Sequence, residues 1–398
     1  MTPVLPRDPA VRAKWLAVAA VGGAAFTAFL VGLKSPDGFH LLALGRALVR
    51  AGGLPAMEPF VYPLADQPFI GSSWLSGLLL YASHALAGDA GPVVLAAALG
   101  AATLAVMARD ATREARSAAA LAAALLPVAL AIAVHRPRVA PRPEAVAFLC
   151  LAATLLLVRR WENGEARRLW LLPALFLMWA NAHQSVAAGA AILGVTLVVA
   201  LAHRAVARRG APPAPDLKPL ALWSGAALLA SLLSPSGWTQ FRTAAGFVLS
   251  SVAPPSPGAG GGAYSMLRTM VMELGPIPRE DWLGPFGALT CLSAVAFAAG
   301  FNRSTPRQLA VAAGAFVLAV SAWRYESLAA IVVAPMAGRH LALAVERLGT
   351  RRGVAVATLA LSAAGLVAAA AWAVATPYAR FGVAVEPWGL PVRTAEYL

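Results

Sequence analysis

The chain has 398 residues, 59% of them hydrophobic and 13% charged. A water-soluble domain carries about a quarter charged residues, so a soluble fold is excluded and a polytopic α-helical membrane protein is indicated. The net charge of +14 would point to nucleic acid in a soluble protein, but here the basic residues sit as loop charges between apolar segments, and no nucleic-acid partner is expected.

The first element is an apolar run from Trp15 to Leu33, preceded by Arg7, Arg12 and Lys14. It is too long for the core of a secretory signal and no convincing cleavage site follows. It reads as an uncleaved first span with a cytoplasmic N-terminus. Next comes a polar stretch from Asp37 to Trp74. Leu41, Leu42, Leu44, Leu48 and Val49 recur there at helical spacing, with Arg46 and Arg50 on the other side. This predicts an amphipathic helix from Phe39 to Arg50, suited to lying at a membrane surface. Gly52, Gly53 and Pro55 stop it. Asp37, His40, Glu58 and Asp66 make the stretch an acid-bearing loop, read either as a reaction or binding site at the membrane face or as an ordinary solvated loop.

Later apolar segments run at 74–87, 92–108, 117–134, 144–158, 169–180, 186–203, 220–233, 283–300, 308–322, 327–342 and 353–375. The fold expected is all-α, a polytopic transmembrane helical bundle of about 11–12 apolar segments with an amphipathic outer-face helix after the first span. Several segments fall short of the ~20 residues that cross a bilayer squarely. Cys150 and Cys291 lie inside apolar segments, as packing or lipid-facing residues and not a disulfide. No Cys/His cluster has metal-ligand spacing, and there is no Gly-rich phosphate loop or nucleophile elbow.

Lysine and arginine set the orientation. With the N-terminus and the loops near 109–116, 159–168, 203–219, 301–307 and 339–352 inside, 20 of the 32 basic residues are cytoplasmic, alongside 7 acids. Strict alternation from the first span reverses that bias. The favoured arrangement requires one apolar segment between residues 34 and 108 not to cross, or one crossing more than the hydropathy resolves. The segment 74–87 is the weakest span. The outer face then gathers the Asp37 loop, the stretches 135–144 and 179–185, the segment 234–282 with its Pro/Gly-rich piece at 254–262, the stretch 323–327 and the C-terminal tail.

Most of the unusual polar residues fall on that face. Arg136, Arg138 and Arg142 sit between two apolar segments against the positive-inside trend. Arginines so placed are paired or functional, and their forks suit phosphate oxygens. The alternatives are the phosphate of a lipid carrier, or pairing with Glu144 or headgroups. Asn181, His183, Gln184 and Ser185 form a polar cluster that either lines a pocket or bonds between helices, with Trp179 read as an interfacial anchor. Asp37, Glu58 and Glu273 are the candidate carboxylates for taking a proton from a hydroxyl. Arg324, beside Tyr325 and Glu326, either pairs with Glu326 or reaches an outer-face phosphate.

With those residues in view, nearly the whole chain resembles the C-type (GT-C) membrane glycosyltransferases. Closest in pattern are uncharacterised bacterial members distantly similar to protein mannosyltransferases and the lipid A aminoarabinose transferase. The resemblance rests on Asp37 and His40 after the first span, on Gly52 to Pro55, and on Glu58-Pro59-Phe60. It also rests on Arg142-Pro143, on Trp179, Asn181 and His183, and on the outer acid Glu273. The chain departs from the pattern at Ser72-Ser73 before Trp74-Leu75, where relatives carry His-Glu, at Gln184, where they carry Gly, and at Gly38, where a second acid is common.

The resemblance implies sugar transfer from a polyprenyl-phosphate-linked donor to a glycan, lipid or protein acceptor at the outer face of a bacterial inner membrane. Asp37, Glu58 or Glu273 would be catalytic. His40, Arg136, Arg138, Arg142, Asn181, His183 and Arg324 would bind substrate. No cofactor is required by this reading, and a divalent metal stays open. Residues 1–376 form the transmembrane domain. Residues 377–398 resemble the linker that in relatives leads to an outer soluble domain. Two other classes stay open. One is a transporter or flippase of a lipid-linked or anionic substrate, for which inverted repeats are the signature and none is seen. The other is a non-catalytic membrane protein of envelope assembly.

Overall fold

The computed structural model describes residues 8–60, 66–206, 215–252 and 272–348, together with 360, 362, 364–365, 367–368, 371 and 382. The Pro/Gly-rich piece at 254–262, most of the segment 353–375 and, except for Gly382, the tail 377–398 lie outside the described residues.

The described residues form an all-α, polytopic fold of 14 α-helices without a strand. In chain order these are α1 (Pro9–Ala28), α2 (Pro36–Ala51), α3 (Trp74–Ala87), α4 (Ala90–Ala111), α5 (Ala118–His135), α6 (Glu144–Glu162) and α7 (Leu171–Ala182). They continue with α8 (Val186–Val206), α9 (Leu217–Ser231), α10 (Thr239–Val252), α11 (Arg279–Trp282), α12 (Pro285–Gly300), α13 (Pro306–Ser321) and α14 (Glu326–Leu348). Five described helical segments, 90–111, 118–135, 186–206, 285–303 and 323–348, are long and apolar enough to cross a membrane. The helices follow the apolar runs of the sequence, and α3 coincides with the run 74–87. The helix α10 is an addition inside the segment 234–282.

Local chemistry explains the boundaries. Pro36 opens α2 where its missing N–H costs nothing, Asp37 meets the positive end of the helix dipole, and Gly52 closes it at φ 68°. Ser117 and Asp216 cap α5 and α9 by accepting the N–H groups of Ala120 and Lys218. Thr305 and Gln308 form a reciprocal capping box on α13.

The chain divides into two units. One comprises residues 1–26, 101–137 and 246–378, the other 27–100, 138–245 and 379–398. In the first, α14 packs against α5, α12 and α13. Gly338 lets α14 approach α5 so closely that a Cβ there would lie 2.3 Å from the Ala124 carbonyl oxygen. The Glu346 carboxylate accepts the N–H groups of Arg116 and Ser117 at 2.8 and 2.7 Å, covering the amides that precede α5.

In the second unit, α2 packs on α3, α3 on α7, and α6, α7, α8 and α9 on one another. Of the expected apolar stripe of α2, Val49 is exposed and the rest is covered by α3: Leu41, Leu44, Leu48 and Leu80 are buried together, flanked by Leu42, Phe69, Trp74 and Leu95. With 14 residues, α3 rises roughly 21 Å, short of the ~30 Å hydrocarbon core.

Two glycines set the crossing of α2 and α3. A Cβ on Gly45 would lie 2.2 Å from the Gly77 oxygen and 2.5 Å from Tyr81 Cβ, the close backbone approach that small residues allow between membrane helices. Gly45→Ala must push the two backbones apart and is expected to destabilise the pair by about 1–3 kcal/mol. The readout is a lower melting temperature in detergent than for Gly53→Ala, whose Cβ meets open space. Equal melting temperatures would show that the contact tolerates a methyl group.

Candidate functional site

The site is built in the second unit, where the N-terminus of α2 meets the chain entering α6. Ser35, buried just before α2, accepts a hydrogen bond from Arg142 Nε at 2.9 Å. The same nitrogen lies 3.7 Å from Asp37 Oδ2. The approach is possible because residue 38 is glycine: a Cβ there would lie 2.8 Å from the Pro141 carbonyl oxygen. The Asp37 side chain is 61% exposed and that of Arg142 17%. The result is an accessible carboxylate with a largely covered guanidinium behind it.

Glu144 opens α6 two residues after Arg142 and lies outside the five spans. Its Oε2 is buried without a hydrogen-bond partner. Burial opposes its ionisation. The positive charges of His183, Arg138 and Arg142 and its own backbone amide outweigh that, so the carboxyl is held below its ordinary range. Glu144 therefore ties Arg138, Arg142 and His183 into one electrostatic group.

His183 follows α7 in extended backbone. Its Nδ1 lies 2.7 Å from Ser185 Oγ and accepts the Ser185 backbone N–H at 3.1 Å. The Trp179 indole donates to the same Ser185 Oγ at 3.0 Å. Trp179 is thus not an interfacial anchor. It is 1% exposed, stands edge-on to Phe176, and occupies the space left by Gly189. Asn181 bonds between helices: its Oδ1 accepts the Trp74 indole N–H at 2.7 Å and its Nδ2 donates to Leu177 O at 2.8 Å. Beside it, Ser76 Oγ donates to Ala182 O at 2.9 Å.

His40 lies one turn after Asp37, exposed, with its ring edge-on to Phe60 at 5.2 Å. Glu58 accepts the Phe60 N–H at 3.1 Å, within a narrow loop where its own N–H donates to Gln67 O. Asp37, His40, Glu58, Arg138, Arg142, Asn181 and His183 thus belong to one unit, whereas Arg136, Glu273 and Arg324 belong to the other. In that unit Arg136 is buried. Glu273 lies within a short turn, Met272–Leu274, joined to the turn Trp323–Tyr325 by the Trp323 N–H donating to Gly275 O at 2.9 Å. Arg324 lies over the Tyr325 ring at 5.9 Å. Asp281, nearby, has its carboxyl pushed up by burial and by Glu280, against a bond from Trp323.

Sequence reasoning placed Ser185 in the polar cluster with His183, did not select Ser35 and Trp74 as site residues, and weighed Glu144 only as a partner for the arginines. The signal for Glu144 was an acid at the first turn of an apolar segment, and for Ser35 a Ser-Pro pair at a helix start. Chemically, the group offers a guanidinium for phosphate oxygens, an open carboxylate for a proton and an imidazole for a hydrogen bond. Among the described residues, no group of three or more His, Cys, Asp or Glu stands close enough to hold a metal. No protein-family model and no curated protein matches the chain.

Proposed function

We propose that the chain is a membrane glycosyltransferase of the C-type, moving a sugar from a polyprenyl-phosphate donor to an acceptor hydroxyl at the outer face of the inner membrane. The observation that carries this reading is the pairing of exposed Asp37 with Arg142, the latter bonded to Ser35. Such a transfer needs a carboxylate for the acceptor proton and a cation for the departing phosphate, side by side. In the proposed reaction the acceptor oxygen attacks the anomeric carbon and its proton passes to Asp37. The bond from that carbon to the phosphate oxygen breaks, and polyprenyl phosphate leaves against Arg142 and Arg138. His183 donates to a substrate oxygen, and Glu144 holds the two arginines in place.

The test is transfer of labelled sugar from polyprenyl-phosphate hexoses and pentoses by the purified chain in vesicles. Label in the acceptor supports the reading. Movement of intact donor across the bilayer without transfer would replace it by a transporter.

The reading also needs Asp37 on the outer side. Single cysteines at Asn163 and Ser256, in a background lacking Cys150 and Cys291, are expected to react oppositely with an impermeant reagent applied from outside. Ser256→Cys should label and Asn163→Cys should not. The reverse result would place the candidate site in the cytoplasm and end the proposal.

A further inference from the structure

We infer that the loop joining α6 to α7 binds the phosphate of an anionic phospholipid headgroup, at a site separate from the one described above. The inference does not rest on the sugar-transfer reading. A cavity of about 570 Å³ opens in this loop, lined by Arg160, Gly164, Glu165, Arg167 and Arg168. Three arginines line it against one glutamate, so its field favours an anion, and the arginine fork matches two phosphate oxygens at once.

The walls are fixed in place. Gly164 turns the chain at φ 82°. The Glu165 N–H closes back on Arg160 O at 2.8 Å, and Leu169 is buried below. Trp161, also buried, donates its indole N–H to Asp216 O at 2.7 Å, tying the loop to the start of α9. A site held this way loses little entropy when it takes a ligand.

The surroundings select a lipid. Trp170, next along the chain and 56% exposed, puts an indole at the rim, where interfacial tryptophans lie at headgroup level. Along α7, Leu177 and Met178 are outward-facing apolar side chains against which acyl chains can lie. The loop is also one of those that the distribution of basic residues assigns to the cytoplasm, whose leaflet is the anionic one.

The test is native mass spectrometry of the delipidated full chain in detergent, with phosphatidylglycerol or phosphatidylcholine added. Phosphatidylglycerol is expected to be retained in preference. The variant Arg167→Gln/Arg168→Gln, both exposed positions, should lose retention on the order of tenfold, while Arg303→Gln keeps it. If the double variant loses its melting transition, the two single variants are read in its place, with the same loss expected of each. Equal retention of the two lipids, or of phosphatidylglycerol by parent and variant, would overturn the inference. So would tight binding of soluble glycerol 1-phosphate that competes fully with the lipid, because the site would then serve a soluble phosphate ester.

Discussion

Asp37→Asn is expected to abolish sugar transfer while leaving the protein folded and donor binding unchanged. The substitution keeps the shape of the side chain and removes its basicity. The side chain is 61% exposed, so no buried contact is lost. A positioned general base contributes about a hundred- to ten-thousand-fold to the rate, and kcat should fall by that range. The partner Arg142 also keeps its bond to Ser35, which the substitution does not touch. Steady-state kinetics with labelled donor, beside a thermal melt, gives the answer. A wild-type rate for Asp37→Asn together with an inactive Glu58→Gln or Glu273→Gln would move the base to one of those acids. Full activity in all three variants would remove carboxylate catalysis from the proposal.

The second large effect is expected at Arg142. Arg142→Ala removes the bond to Ser35, the ion pair with Asp37 and one of the two arginines acting on Glu144. One charged hydrogen bond to phosphate is worth about 1.5–3 kcal/mol, so donor affinity should fall roughly ten- to a hundredfold. Arg142→Lys restores the charge without the planar fork and should recover only part of the loss. Arg138→Ala should fall in the same direction, and Arg303→Ala, outside the unit that holds the site, should bind donor as the parent does. Titration with a polyprenyl phosphate followed by intrinsic fluorescence separates these cases. Indistinguishable affinities for the four variants would take the carrier phosphate away from this loop.

The helices were legible because hydropathy is written locally. An apolar run of ~20 residues has to form a helix inside a bilayer to satisfy its own backbone. What such a run packs against is not local. The stripe Leu41, Leu44 and Leu48 declares that something covers it, and either a membrane surface or α3 would satisfy the same pattern. A tryptophan at a span end is amphipathic, so Trp179 reads as an anchor until its partners, Phe176 and the space at Gly189, are known. The helix α10 was hidden because it begins TQFRT, with no continuous apolar run to announce it. For the candidate site, Asp37, Arg142 and His183 could each be singled out as misplaced polarity. The charge distribution puts them on one face, but their contacts could not be read, since Ser35 and Arg142 stand 107 residues apart and meet only through the bare backbone at Gly38.

The hydrogen bonds behind His183 decide which way its proton points. A backbone N–H can only donate, so the Ser185 amide obliges Nδ1 to be the acceptor, and the Ser185 hydroxyl, already receiving the Trp179 indole proton, has its own hydrogen left to give to the same nitrogen. In the neutral ring the proton is therefore on Nε2. When neutral, a histidine in that tautomer offers a donor to an oxygen, while its one ring lone pair, on Nδ1, is already engaged by Ser185. In the proposed transfer the imidazole and the carboxylate of Asp37 would not be interchangeable: the first would steady a substrate oxygen, and the second would accept the proton that the transfer releases.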